Sequence, residues 1–123
     1  MAIRCLIVDD NESFLQAARL LLEREGLGVA GVASRGTEAL RQVEALHPDV
    51  ILVDICLGEE SGLELTRRLV ENRPAGETTV ILISTHTEAD FADLIADSPA
   101  AGFLPKAELS ADSIRRILDE RRR

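Results

Sequence analysis

Five short apolar runs alternate along this chain with longer segments in which apolar residues recur every three or four positions. Most of the runs are apolar throughout, which is typical of strands that are covered on both faces. Strands that alternate with helices at this spacing favour right-handed crossovers and a parallel sheet between two helical layers. The sequence therefore predicts an α/β fold. The predicted strands are Ile3–Val8, Val29–Ala33, Val50–Val53, Val80–Ile83 and Ala101–Leu104.

The segments between the runs have the spacing of amphipathic helices. Gly26 is expected to end the first helix. Ser61 and Glu64 form a capping-box pattern at the start of the third, and Ser110 is expected to cap the last. The predicted buried faces are Phe14, Leu15, Ala18, Leu21 and Leu22; Ala39, Leu40, Val43 and Leu46; Leu63, Thr66, Leu69 and Val70; Phe91, Leu94 and Ile95; and Ile114, Ile117 and Leu118.

The composition suits one globular domain over residues 1–123, since 46% of the residues are hydrophobic and 29% are charged. Asp and Glu number 22 against 14 Lys and Arg, so the net charge is −8. Such a surface repels nucleic acid and anionic membranes. Three Phe and no Trp or Tyr also leave few aromatic rings for stacking single-stranded nucleic acid. We expect neither nucleic acid nor a membrane as a partner of this domain.

The two cysteines, Cys5 and Cys56, lie in apolar segments, and we interpret them as buried side chains in a reducing cytosol. The sequence has no Cys-x-x-Cys pair and no Cys/His cluster that would indicate zinc. The N-terminus does not have the pattern of a secretory signal, and no apolar run approaches the roughly 18 residues of a membrane span. These observations predict a cytoplasmic location.

Residues with reactive or ligating side chains follow four of the predicted strands. Asp9 and Asp10 follow the first strand, Asp54 the third, Ser84 the fourth, and Lys106 lies just beyond the fifth. Each of them alone is more often a turn, a cap or a solvated charge. However, the carboxyl ends of parallel strands share one edge of the sheet, where ligands bind in folds of this class. Their joint placement therefore predicts a site with three carboxylates, a hydroxyl and an amine.

Three neighbouring carboxylates repel one another unless a cation neutralises them. Oxygen ligands without a nearby imidazole favour a hard ion, and Mg²⁺ suits best because it accepts few protein ligands and keeps its waters. A carboxylate can attack phosphorus to give an acyl phosphate. Lys106 would then pair with one phosphoryl oxygen, and the Ser84 hydroxyl would donate to another. All these groups therefore have a role in one phosphoryl-transfer reaction.

Five motifs, taken together, resemble the receiver domain of bacterial two-component response regulators. The motifs are Val8-Asp9-Asp10-Asn11; Val53-Asp54; Gly62, eight positions after Asp54; Ser84-Thr85; and Gly102-Phe103-Leu104-Pro105-Lys106. The resemblance covers the whole chain and implies the flavodoxin-like (βα)₅ fold, with a doubly wound parallel sheet of five strands. It suggests either a single-domain regulator of the chemotaxis kind or the N-terminal part of a longer protein.

The resemblance also implies a chemistry. Asp54 would accept a phosphoryl group from a sensor histidine kinase or a histidine phosphotransfer protein, with Ser84 and Lys106 holding that group. Asp9 and Asp10 would bind Mg²⁺ together with Asp54 and the main-chain carbonyl of Cys56. The protein would catalyse only its own phosphorylation and dephosphorylation, and would not act as an enzyme on other substrates.

Further roles follow from the same resemblance. Phe103 would be the switch aromatic, which moves inward when Ser84 moves toward the phosphoryl group. The face formed by the fourth helix, the fifth strand and the fifth helix would then bind a downstream protein target. Cys56, Thr85 and His86 occupy positions that would tune the lifetime of the phosphoryl group.

Several features depart from the family pattern. Ala107 stands where the family usually has proline after the conserved lysine, and we expect a trans peptide bond there. Gly58 stands where a proline is common, so we expect a more mobile and more acidic loop. The first departure keeps open an alternative, a degenerate receiver that acts as an interaction module without phosphorylation.

A further alternative is a small Mg²⁺-dependent phosphohydrolase of the haloacid dehalogenase kind. That family has an acid two residues after its nucleophile on the first strand, where this chain has Asn11 after Asp9.

Overall fold

The computed structural model describes residues 3–72, 78–85 and 88–122. Five parallel strands form one sheet: β1 (Arg4–Val8), β2 (Gly28–Ala33), β3 (Val50–Asp54), β4 (Thr79–Ser84) and β5 (Gly102–Pro105). Their order in the sheet is β2-β1-β3-β4-β5. This is the strand order of the flavodoxin-like fold, and it reverses between β1 and β3, where such folds bind ligands. The predicted fold class is confirmed.

Helices cover both faces of the sheet. Successive strand residues point to opposite faces, so Cys5 and Ile7 pack beneath the first and last helices, whereas Leu6 and Val8 pack beneath the second and third. A sheet buried on both faces needs apolar runs, which explains the composition of β1, β3 and β4. The helices are α1 (Glu12–Arg24), α2 (Gly36–Leu46), α3 (Gly62–Asn72), α4 (Ala92–Asp97) and α5 (Ala111–Arg122).

Two residues predicted to lie on buried helix faces are exposed instead. Leu21 is at the rim of the α1 face, which buries Leu15, Ala18 and Leu22. Leu94 is 54% exposed because α4 has only six residues and no buried residue of its own. Phe91 and Ile95 nevertheless pack against the core, as predicted.

The predicted caps are present at two helices. The Ser61 hydroxyl accepts a hydrogen bond from the Glu64 backbone N–H at 3.2 Å. At the start of α5, Ser110 and Ser113 each accept a hydrogen bond on the side-chain oxygen from the backbone N–H of the other. Side chains at these helix starts therefore satisfy backbone donors that would otherwise lack intrahelical partners.

The segment after β3 forms a small antiparallel hairpin, which we call the acceptor hairpin, with strands Cys56–Leu57 and Glu60–Ser61. The sequence predicted only a mobile loop here. Gly58, at the turn, has a positive φ of 61° that glycine adopts without strain. The Glu60 carboxylate accepts a hydrogen bond from the Gly36 backbone N–H at the start of α2. The hairpin is therefore tied to a neighbouring helix.

Candidate functional site

The carboxyl edge of the sheet brings Asp9, Asp54 and Lys106 into direct contact. Asp9 follows β1, and its backbone N–H donates to Ala33 O, which extends the strand pairing by one residue. Asp54 is the last residue of β3, and Lys106 follows β5 directly. The side chain of Asp9 is fully buried and that of Asp54 is 10% exposed. Two buried carboxylates therefore lie together at the ends of the adjacent strands β1 and β3.

The Lys106 ammonium lies between these carboxylates. Its Nζ atom is 2.6 Å from Asp9 Oδ2 and 3.0 Å from Asp54 Oδ2, and the side chain is only 13% exposed. Burial lowers the pKa of Lys106, but its contacts with Asp9 and Asp54 outweigh burial and raise the pKa above its ordinary value. Lys106 therefore remains protonated and offsets part of the negative charge of the site.

Opposing effects act on the Asp54 carboxyl. Burial raises its pKa, the hydrogen bond from Lys106 lowers it, and the nearby charge of Asp9 raises it again. The backbone N–H of Cys56 also donates to Asp54 Oδ1, at 3.2 Å, and favours the charged form. The net effect raises the pKa of Asp54. One carboxylate oxygen thus faces Lys106 and the other faces a backbone donor.

Three carboxylates of the site fit a divalent cation. Asp9, Asp10 and Asp54 each offer an oxygen, and these oxygens lie within 4.8 Å of one another. Asp9 Oδ2 is buried and, although Nζ of Lys106 is close, no described residue donates a well-directed hydrogen bond to it. A hard cation such as Mg²⁺ binds oxygen ligands of this kind. The residues present therefore suit the ion that the sequence predicts.

The other predicted site residues differ in how deeply they are buried. Ser84 is buried at the end of β4, whereas Thr85 is exposed in the bend that follows. Phe103 is buried in β5 and packs in the core cluster beneath α2 and α3. His86 lies outside the described residues. The structure thus places Ser84 and Phe103 on neighbouring strands, with Leu82 of β4 paired to Phe103.

The two cysteines differ in environment. Cys5 is buried, as predicted, and burial together with the charge of Asp49 raises the pKa of its thiol to about 11. For Cys56 the prediction of burial is wrong, since its side chain is exposed. Asp54 ends β3, and the acceptor hairpin that follows places Cys56 outside the sheet.

The peptide bonds beside Lys106 are trans, because no cis bond occurs among the described residues. The predicted trans bond between Lys106 and Ala107 is therefore confirmed. Lys106 opens a short 3₁₀ turn, Lys106–Glu108, in which its carbonyl accepts a hydrogen bond from the Leu109 backbone N–H at 3.3 Å.

Comparison with known proteins assigns the family. The sequence model of the response regulator receiver domain matches residues 5–119. The chain belongs to this receiver family. The family resemblance drawn from the motifs is thus confirmed, and the chain is a receiver domain of two-component signalling.

Relatives of this receiver include a response regulator and a protein-glutamate methylesterase/protein-glutamine glutaminase. It is 33% identical to the response regulator GacA of Pseudomonas viridiflava over 94% of this chain and 53% of that protein. It is 34% identical to a protein-glutamate methylesterase/protein-glutamine glutaminase of Alkalilimnicola ehrlichii, over 98% of this chain and 32% of that protein. The receiver therefore spans about half or less of these curated relatives.

Solved structures agree with the fold. A CheY-like receiver domain from Methanospirillum hungatei superposes with a TM-score of 0.80 at 25% identity, covering 98% of this receiver and 94% of that chain. The receiver domain of a modulated diguanylate cyclase from Desulfovibrio desulfuricans gives a TM-score of 0.78 at 30% identity, covering 98% of this receiver and 93% of that chain.

Among the helices that the structure describes, none combines the length and the apolar composition that a membrane span requires.

Two contributors to the site were missed by the sequence analysis. The N-cap of α1, Asn11, donates its backbone N–H to Asp9 Oδ1 at 2.8 Å and thereby holds that carboxylate. Phe14, which the helical spacing assigned to the core, lies with its ring against Nζ of Lys106. Asparagine before a helix is a recognisable capping signal, but no local pattern indicates that the Phe14 ring meets a cation.

Proposed function

We propose that this receiver accepts a phosphoryl group on Asp54 from a phosphohistidine of a sensor histidine kinase or a histidine phosphotransfer protein. The observation that supports this most directly is the Asp54 carboxylate, which ends the central strand β3 with Lys106 Nζ 3.0 Å away. An Oδ atom of Asp54 attacks phosphorus, the new P–O bond forms as the P–N bond breaks, and the imidazole leaves with the electron pair. The product is an aspartyl phosphate.

The surrounding residues have separate tasks in this reaction. Lys106 pairs with one phosphoryl oxygen, and the Ser84 hydroxyl donates a hydrogen bond to another. The ligands of Mg²⁺ would be Asp9, Asp10, Asp54 and the main-chain carbonyl of Cys56. The bound ion would offset the negative charge that develops on the transferred group. Thr85, His86 and Cys56 would tune how long the phosphoryl group persists.

The output follows from a change in charge on one residue. Phosphorylation adds negative charge and acceptor oxygens at Asp54, and the Ser84 hydroxyl then moves toward them. Phe103, on the adjacent strand β5, turns further inward as Ser84 moves. The face of α4, β5 and α5 changes shape and binds a protein target. In this proposal residues 1–123 act as one phospho-acceptor domain.

Incubation with acetyl phosphate and Mg²⁺ tests the proposal. We expect intact mass spectrometry to show one phospho-adduct on the parent, because the Asp54 carboxylate attacks phosphorus and acetate leaves. Asp54→Asn should show none, since its amide is a poor nucleophile. Asp93→Asn, which changes an exposed acid on α4, is the matched control and should label like the parent.

Three outcomes, from this labelling experiment and from assays of binding and hydrolysis, separate the alternatives. Equal labelling of the parent and Asp54→Asn would move the acceptor elsewhere. An unlabelled parent that still binds its partner would favour the interaction module. Sustained hydrolysis of simple phosphomonoesters, such as p-nitrophenyl phosphate, would favour the phosphohydrolase.

Mg²⁺ should stabilise the folded receiver without any phosphodonor, because an ion that binds only the native state raises the free energy of unfolding. We expect a gain of about 2.7 kcal/mol at a hundredfold excess over the dissociation constant. Thermal unfolding with and without Mg²⁺, at matched ionic strength in Na⁺, measures this gain.

Asp9→Asn should lose most of the Mg²⁺-dependent increment, whatever its stability without the ion, because it removes one ligand charge. An equal increment in the parent and in Asp9→Asn would place the ion away from the carboxylates.

A further inference from the structure

The ring of Phe14 forms a third contact of the Lys106 ammonium. Nζ lies 4.4 Å from the ring centroid, inside the distance of about 6 Å at which a cation is attracted to an aromatic face. The other two contacts are the carboxylates of Asp9 and Asp54. An ammonium has three N–H donors and sits on a flexible four-carbon stem, so several contacts are needed to hold it in one place.

The Phe14 backbone is held by the same turn that holds Asp9. The Asn11 side chain accepts a hydrogen bond from the Phe14 backbone N–H at 3.1 Å, while the Asn11 backbone N–H donates to Asp9 Oδ1. The ring is half-buried and packs against the core cluster beneath α1 and α5. A closed chain of contacts at the start of α1 therefore joins Asp9, Asn11, Phe14 and Lys106.

The residue after Lys106 makes the contact with Phe14 more important for the position of the ammonium. Ala107 follows Lys106, and alanine does not restrict φ as a proline at that position would. The pose of the ammonium therefore depends more strongly on what its side chain touches.

We propose that Phe14 is a positioning residue for phosphoryl transfer: its ring holds the Lys106 ammonium beside the Asp54 carboxylate, where it meets the incoming phosphoryl group. The inference rests on the proposed function of Asp54. It assigns Phe14 a role through Lys106, with no contact of its own to the transferred group. The ring would speed the reaction because a held ammonium needs less reorganisation when the phosphoryl group arrives.

The sequence offers a direct way to observe this contact, because Lys106 is the only lysine of the chain. Labelling with isotopic lysine gives one set of side-chain NMR signals, which need no assignment by mutation. Protons near the ring face are shifted upfield by the ring current. We expect the ε-methylene protons to show this shift in the parent and in Phe14→Tyr, and to lose it in Phe14→Leu and Phe14→Met.

The rate of phosphorylation supplies the functional test. With acetyl phosphate and saturating Mg²⁺, we expect Phe14→Leu and Phe14→Met to label about threefold to tenfold more slowly, as loss of a desolvated cation–π contact implies. Phe14→Tyr keeps the ring and should label at the parent rate. Leu20→Ala changes an exposed apolar residue of the same helix and should also leave the rate unchanged.

The outcomes distinguish this inference from the proposed function. A parent that is not labelled at Asp54 would contradict the proposed function and, with it, any role of Phe14 in the transfer. Labelling of the parent with equal rates in all the Phe14 variants would overturn the inference alone, as would an ε-methylene shift that persists in Phe14→Leu. If Phe14→Leu does not fold, Phe14→Met carries the same comparison.

Discussion

Replacing Lys106 with methionine will lower the free energy of unfolding by about 3–5 kcal/mol near neutral pH, in the absence of divalent metal. Methionine has a similar length, so the change removes the charge while keeping much of the volume. The carboxylates of Asp9 and Asp54 are both buried and would lose the cation that lies within 3.0 Å of each. A buried charge without its partner is costly, and here two like charges also remain side by side.

Urea unfolding of the parent, Lys106→Met, Asp54→Asn and the double variant measures this effect as a cycle. The double variant has one carboxylate fewer, so it should recover most of the stability that Lys106→Met loses. The loss should also shrink as the pH falls below neutral, because the raised pKa of Asp54 rises further without Lys106 and the carboxyl then binds a proton. A loss under about 1 kcal/mol near neutral pH would mean that water already screens the pair.

The strand ends of this receiver could be predicted because the chemistry there is local. Val50–Val53 is apolar throughout and Asp54 interrupts it, so the residue that leaves the buried sheet is visible in the sequence. The same holds for Asp9 after Val8. Parallel strands then bring these ends to one edge without any further information. The convergence follows from topology, which is why short sequence signals were enough to propose it.

Other features depend on how separate elements meet, and the sequence does not encode them locally. Phe14 fits a helical stripe as well as any core residue, and its contact with Lys106 requires that β5 end above the first turn of α1. Cys56 stands in an apolar segment, but the acceptor hairpin carries it to the surface. Leu94 has the spacing of a buried residue on a helix too short to bury it. In each case tertiary placement overrides the local pattern.

Replacing Gly62 with alanine will destabilise the receiver by about 3 kcal/mol or more and will disturb Asp54, the proposed phospho-acceptor. A Cβ atom at this position would lie 1.8 Å from Asp54 O, 2.7 Å from Asp54 C and 2.9 Å from Ile55 Cα. All three are backbone atoms, so no side-chain rotation relieves the overlap. Alanine is ordinarily favoured over glycine in a helix by up to about 1 kcal/mol, and the overlap outweighs that gain.

Gly36→Ala is the matched control, because Gly36 is also the buried first residue of a helix. Its Cβ would lie 2.6 Å from Glu60 Oε2, the far end of an exposed side chain that can move aside at the cost of its hydrogen bond from the Gly36 backbone N–H. We expect Gly36→Ala to change the stability by less than about 1 kcal/mol and to keep the parent labelling rate. Gly62→Ala should label more slowly even where it is fully folded, because the Asp54 backbone must shift to admit the methyl group. Equal stability and equal labelling of the two variants would show that the approach of α3 to Asp54 is not as close as the structure has it.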